Sequence, residues 1–157
     1  MAQRFLQCKT PVRLATILGV PYNELRKYIL QPCYKRQTVR KISGKLRVLH
    51  IPGQRLKMVQ RRLNDYLQAV YFNVMPDEIH GFVRCPNDSA GKRSIVTNAL
   101  PHVGKKYILS MDLFRFFPSV RTKMVREVFL RKPFQCDLNL ASALALLCTY
   151  RHSLPTG

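Results

Sequence analysis

The stretch from Gln54 to Phe72 does most to limit what this chain can fold into. Leu56, Val59, Leu63, Leu67 and Val70 recur at steps of three or four, so on a helix they line up as one apolar stripe. Lys57, Arg61 and Arg62 fall off that stripe. A helix built this way must lay its stripe on other elements, so the rest of the chain has to supply a core around it. The material is there: hydrophobic residues make up 46% of the sequence, too many for a disordered segment.

Local signals place further elements around this helix. Thr10-Pro11 reads as an N-cap followed by proline at the first helical position, opening a helix Val12 to Leu18 that stops at Gly19. Pro21 to Leu30 reads as a second helix, closed by Gln31-Pro32. Thr38 to Ile42 and Lys45 to Ile51 read as a hairpin turning at Ser43-Gly44. Asn73 to Lys92 is a connection rich in turn formers, and Arg93 to Leu100 is expected to be helical. Lys106 to Leu113 is mostly apolar, as in a strand buried on both faces. Ser119 to Leu130 and Leu138 to Tyr150 read as helices. Strands and helices do not alternate regularly, which points to an α+β fold.

Charge narrows the partners. Lys and Arg total 27 against 8 acidic residues among 157, a formal net charge of +19. Such an excess calls for a polyanion, nucleic acid first. No apolar run reaches the roughly 18 residues of a membrane-spanning helix, and the opening MAQRFLQCKTPVR lacks the apolar stretch of a signal peptide. The expectation is a cytoplasmic protein without a membrane partner. Cys8, Cys33, Cys85, Cys136 and Cys148 form no C-x-x-C pair, and an odd, widely spaced set reads as free thiols. Cys148 and His152 are four apart, but a structural zinc usually takes four ligands.

Asp112 ends the apolar run Tyr107-Ile108-Leu109-Ser110-Met111 and is followed by Leu113-Phe114-Arg115-Phe116-Phe117-Pro118. A carboxylate among apolar neighbours needs compensation. A divalent cation supplies it, since hard oxygen ligands suit Mg²⁺. A helix N-cap or a salt bridge to one of the many basic residues supplies it equally well.

The segment Tyr107 to Val120, with its aspartate, three residues and then Phe-Phe-Pro-Ser, resembles the first catalytic motif of retron and group II intron reverse transcriptases. Four further pieces are similar in the same order. They are Leu46-Arg47-Val48-Leu49-His50-Ile51-Pro52 with Leu56-Lys57-x-x-Gln60, Gly81-Phe82, Asn98-Ala99-Leu100-Pro101-His102, and Leu154-Pro155-Thr156-Gly157. The resemblance implies the fingers and the first part of the palm of a right-hand polymerase fold, incomplete. Residues 1–36 would be an N-terminal helical extension, 37–104 the fingers and 105–157 the beginning of the palm. It also implies RNA-templated DNA synthesis from deoxynucleoside triphosphates with Mg²⁺, a structured non-coding RNA as template and primer, and systems implicated in defence against phage.

The resemblance gives residues roles as well. Asp112 would be catalytic and a metal ligand, with Leu113 offering its backbone carbonyl. Lys41 and Arg47 would grip the triphosphate, since guanidinium bonds two phosphate oxygens at once; a solvated edge strand is the plainer account of both. Phe117 would be the steric gate against a 2′-hydroxyl, or else a core ring, and Phe116 is read as core. Arg55, Lys57, Arg61 and Arg62 suit a nucleic-acid backbone, which positions without reading sequence, or a solvated face. Asn98 and His102 would contact RNA or brace the fingers; a structural hydrogen-bonded pair is the plainer account.

Some residues depart from the pattern. Thr156 stands where these enzymes usually carry Gln, and Arg115 where a polar or acidic residue is common. No Tyr-x-Asp-Asp occurs: Asp65, Asp77, Asp88, Asp112 and Asp137 are all solitary. The two-metal site would be completed only by palm residues this sequence lacks, so the chain is expected to be inactive alone. A second chain carrying the rest of the palm and the thumb is then a possible partner. The rival is a non-catalytic RNA-binding chain that keeps the fingers fold.

RNA binding by this chain should be chiefly electrostatic. With Z phosphates neutralised, log affinity falls against log salt at a slope of about −0.7Z for single strands. Binding titrations across a salt series measure that slope, and a flat plot contradicts the charge argument.

Overall fold

A computed structural model describes residues 1–40, 42–83 and 93–156. A short helix that the sequence signals miss, α1 (Ala2–Leu6), buries Phe5. Helix α2 (Pro11–Leu18) opens as its sequence predicts, with the Arg13 N–H donating to Thr10 Oγ1 at 3.2 Å. It closes at Gly19, whose φ of +67° is the left-handed conformation glycine takes without strain. Helix α3 (Tyr22–Leu30) follows Pro21.

Strands β1 (Tyr34–Arg40) and β2 (Leu46–Pro52) form an antiparallel hairpin in register from Tyr34 opposite Pro52 to Arg40 opposite Leu46. Gly44 sits in its turn at φ +79°. The first strand starts four residues before the expected Thr38, because pairing continues down to the aromatic residue at the hairpin's base. Helix α4 (Gln54–Phe72) has the bounds its periodicity predicts. Helix α5 (Ile95–Ala99) starts in a capping box between Ser94 and Thr97 and runs into a 3-10 turn, Leu100–His102. The helical turn α6 (Phe116–Ser119) and helices α7 (Thr122–Leu130) and α8 (Leu138–Cys148) complete the described elements. Asp137 caps α8 by accepting from Leu140 N at 2.7 Å.

The α4 stripe lies at the centre. Leu56, Val59, Leu63 and Val70 are buried, Leu67 is half-buried, and Tyr66 joins them. They pack with Phe5 of α1, Leu14 and Leu18 of α2, Leu25 of α3, Phe129 of α7, and Leu140, Leu144 and Leu147 of α8. Residues from all three segments expected from sequence therefore share one core. Arg62 adds a polar clamp, its Nη1 donating to Leu18 O at 2.7 Å and Gly19 O at 3.2 Å. That satisfies carbonyls left over at the end of α2. A Cβ on Gly19 would lie 2.7 Å from that Nη1, so both backbone and space favour glycine here.

The largest departure from the sequence expectations lies between Lys106 and Phe117. Lys106 to Leu113 is not a strand, and it is not buried: Leu109 is 79% exposed, and Tyr107, Ile108, Met111 and Leu113 are exposed with it. Phe116 and Phe117, at 48% and 42%, do not belong to the core either. They start a helical turn and face each other edge-on at 5.7 Å. The physical reason is a missing neighbour. The only sheet among the described residues is the β1–β2 hairpin, and a strand without a partner leaves its N–H and C=O groups to water.

The contrast is measurable by urea denaturation. Leu63→Ala should destabilise the chain by about 2–5 kcal/mol, as for a buried leucine. Leu109→Ala should stay within about 0.5 kcal/mol, as for an exposed side chain. A large loss at Leu109 would mean that the 106–113 run is packed in solution.

Candidate functional site

The hairpin carries exposed basic residues along its length, Lys35 and Arg36 near its base and Arg40 and Arg47 toward its turn. Arg47 lies on β2 opposite Val39 and is exposed. Lys41 lies outside the described residues. The base of the hairpin is aromatic and hydrogen-bonded. Tyr34 stacks on Tyr150 with centroids 4.2 Å apart, and His50 leans on the same ring at 5.3 Å. Gln60 of α4 donates through Nε2 to Tyr34 Oη and to Leu147 O, both at 2.8 Å. Burial, the main effect on the Tyr34 phenol, pushes its pKa up. Sequence reasoning placed Gln60 and His50 within matching segments but gave neither a task, and it passed over Tyr34 and Tyr150. No sequence spacing marks a contact between residues 87 positions apart, such as Gln60 and Leu147.

The four basic residues of α4 divide. Arg62 is engaged at the end of α2. Arg55 stands 3.6 Å from Glu24 in an ion pair on an exposed surface. Such a pair contributes little and yields readily to a better anion. Lys57 and Arg61 are exposed on the same helix. Asn98 in α5 and His102 in the 3-10 turn are both exposed, and no hydrogen bond joins them, so they do not brace each other.

Asp112 is exposed and makes no hydrogen bond or ion pair with another described residue. It is neither a helix cap nor half of a salt bridge, so both plain accounts of it lack a partner. Phe117 likewise is not a core ring. Leu113, beside Asp112, is 70% exposed and does not belong to the core. Among the described residues no three His, Cys, Asp or Glu side chains gather to hold a metal. One carboxylate and one backbone carbonyl do not make the donor set of a Mg²⁺ pair. The residues present therefore do not fit a complete two-metal site. No helix among the described residues is long and apolar enough to cross a membrane.

Comparison with known proteins agrees with the family resemblance. No family profile matches the chain. The chain is 37% identical to the retron Mx65 reverse transcriptase of Myxococcus xanthus over 153 residues, covering 94% of this chain and 33% of that protein. It is 30% identical to the retron Ec86 reverse transcriptase of Escherichia coli, covering 91% of this chain and 42% of that one. A third relative, the retron Ec48 reverse transcriptase of Escherichia coli, is 29% identical over 74% of this chain. The chain thus spans well under half the length of these curated relatives.

The remaining sequence candidate is the Cys148–His152 pair. Helix α8 ends at Cys148, and His152 lies in a tight turn at φ +66°, so the two do not share a helix face. Cys148 packs against the core, and burial pushes its thiol from 9.0 up to about 12. Raised in the folded state, this group stabilises fully below pH 9, and that contribution is lost as pH rises toward 12. Stability should therefore fall on raising the pH above about 9, and Cys148→Ala should flatten the fall. Denaturation midpoints between pH 8 and 10.5 check this; parallel curves for the two proteins would place the thiol in water.

Proposed function

Because this chain belongs to the retron reverse transcriptase family, we propose that it supplies the fingers and the start of the palm of an RNA-directed DNA polymerase. In this reading it binds template RNA and a deoxynucleoside triphosphate, offers Asp112 as the first catalytic carboxylate, and does not polymerise alone. The segment 1–36 is an N-terminal helical extension, 37–104 the fingers and 105–157 the beginning of the palm. A structured RNA serves as template and primer, and Mg²⁺ is held jointly with carboxylates this chain does not provide.

The exposed run from Tyr107 to Phe117 carries the reading. Its apolar residues are 42–85% exposed apart from the run's polar members, yet they flank an aspartate that has no partner among the described residues. Exposed apolar surface of this extent marks a face meant to be covered. Further palm strands, from the same polypeptide or a second one, would pair with it and bring the missing carboxylates to Asp112. Arg47 then grips the triphosphate from the hairpin, Phe117 lies beneath the sugar, and Lys57, Arg61 and Arg55 face template backbone, with Asn98 and His102 as further RNA contacts.

The net charge of +19 also suits a second reading, a non-catalytic RNA-binding chain that keeps the fingers fold. Supplying the rest of the palm and thumb separates the two.

The purified chain should give no primer extension. Activity should appear when a complementing palm and thumb are supplied, and Asp112→Asn should abolish it. In that active protein, Arg47→Ala should lower kcat/KM for nucleotides by about 10- to 150-fold, the worth of a charge-assisted hydrogen bond. RNA affinity and melting temperature should barely move. Lys57→Ala should show the opposite pattern. Extension by the chain alone would sink the proposal, and matching effects at Arg47 and Lys57 would erase the division between triphosphate and template.

A further inference from the structure

The segment after α8 reaches back to the hairpin. Tyr150 and Ser153 exchange backbone hydrogen bonds at 2.8 and 3.2 Å around Arg151 and His152, whose φ values are +49° and +66°. This is the mirror-image turn that reverses a chain in two residues. Leu154 N–H then donates to Val120 O at 3.0 Å, tying the segment to the body of the protein just before α7. Two residues on, Thr156 meets the outer edge of β2. Its hydroxyl donates to Val48 O at 2.9 Å, and its own carbonyl accepts from His50 N–H at 2.8 Å.

Val48 O and His50 N–H are the pair that a neighbouring strand residue would bond with its own N–H and C=O. Thr156 takes that place with its carbonyl and, in lieu of an N–H, its side-chain hydroxyl. The bond spans 108 residues of sequence. The hairpin is thereby held on both strands: β1 through the Tyr34–Tyr150 stack, and β2 through Thr156. Arg47 is the residue next to Val48.

We propose that Thr156 is a positioning residue, a latch that fixes the edge of β2 and so sets where Arg47 is presented. The proposal rests on the triphosphate reading of Arg47 for its consequence, though not for the latch itself. The hydroxyl is the essential group, since a side chain without a donor at that place leaves the Val48 carbonyl unpaired.

Two variants separate the hydroxyl from the packing. Thr156→Val keeps the branched shape and removes the donor, and Thr156→Ser keeps the donor. Hydrogen exchange on this chain reads the latch at the His50 amide, whose bond to the Thr156 carbonyl remains in Thr156→Val but opens more readily once the hydroxyl's bond to Val48 O is gone. The His50 amide should exchange about 2- to 12-fold faster in Thr156→Val, the loss of one neutral hydrogen bond, and within about twofold of the parent in Thr156→Ser. In the complemented, active protein, Thr156→Val should raise KM for nucleotides by a similar factor. Its kcat and RNA affinity should hold, and Thr156→Ser should restore KM. Unchanged His50 exchange in Thr156→Val overturns the latch. Faster exchange with an unmoved KM, where Arg47→Ala does raise KM, overturns the positioning role. An Arg47→Ala protein with normal KM would instead overturn the triphosphate reading and with it the KM half of the proposal, while the exchange result still decides the latch.

Discussion

Burial of one helix face organises this molecule. The stripe on α4 shares one core with material from both ends of the chain: Phe5, Leu14, Leu18 and Leu25 on one side of the sequence, Phe129, Leu140, Leu144 and Leu147 on the other. Each buried leucine or phenylalanine is worth roughly 1.5–3 kcal/mol in transfer, so covering this stripe supplies a large part of what holds these segments together. The helix also does the polar work of joining elements. Arg62 closes the end of α2, and Gln60 ties the hairpin base to the last turn of α8. The hairpin and the helical body thus take their relative places from successive turns of a single element.

What could be read from sequence followed from local chemistry. Thr10, Gly19, Gly44 and the α4 periodicity each act within a few residues, and each element they announce is found, the two helices with bounds close to those expected and the hairpin with a first strand that starts four residues earlier. The short helix α1 escaped because its few residues carry no cap and too few apolar positions to show a period. The 106–113 run was misread for the opposite reason. Its composition is that of a buried strand, but burial and pairing are properties of neighbours, and the described residues supply none. The candidate site divides along the same line. Asp112, Phe117 and Arg47 were legible as a motif order, while the cluster of Tyr34, His50, Gln60, Tyr150 and Thr156 was not, since it depends on contacts across most of the chain.

The exposure of Asp112 and Phe117 bears on how such a site is assembled. A carboxylate fixed early in a buried core would pay a desolvation cost before any cation arrived. Here it stays hydrated beside apolar side chains that are themselves unsatisfied. The elements that cover those side chains would be the ones that bring charge compensation, so covering and compensation come together.

The same strip has a colloidal consequence. Tyr107 to Phe117 is an open, β-prone apolar edge, the kind of segment that pairs with copies of itself. It is bracketed by Lys105 and Lys106 on one side and carries Arg115 within it, on a chain of net charge +19. Like-charge repulsion holds such edges apart only over the Debye length, about 10 Å at 0.1 M salt and about 3 Å at 1 M. The positive charge that suits this chain to a polyanion would therefore also keep copies dispersed, and concentrated salt would weaken both effects at once.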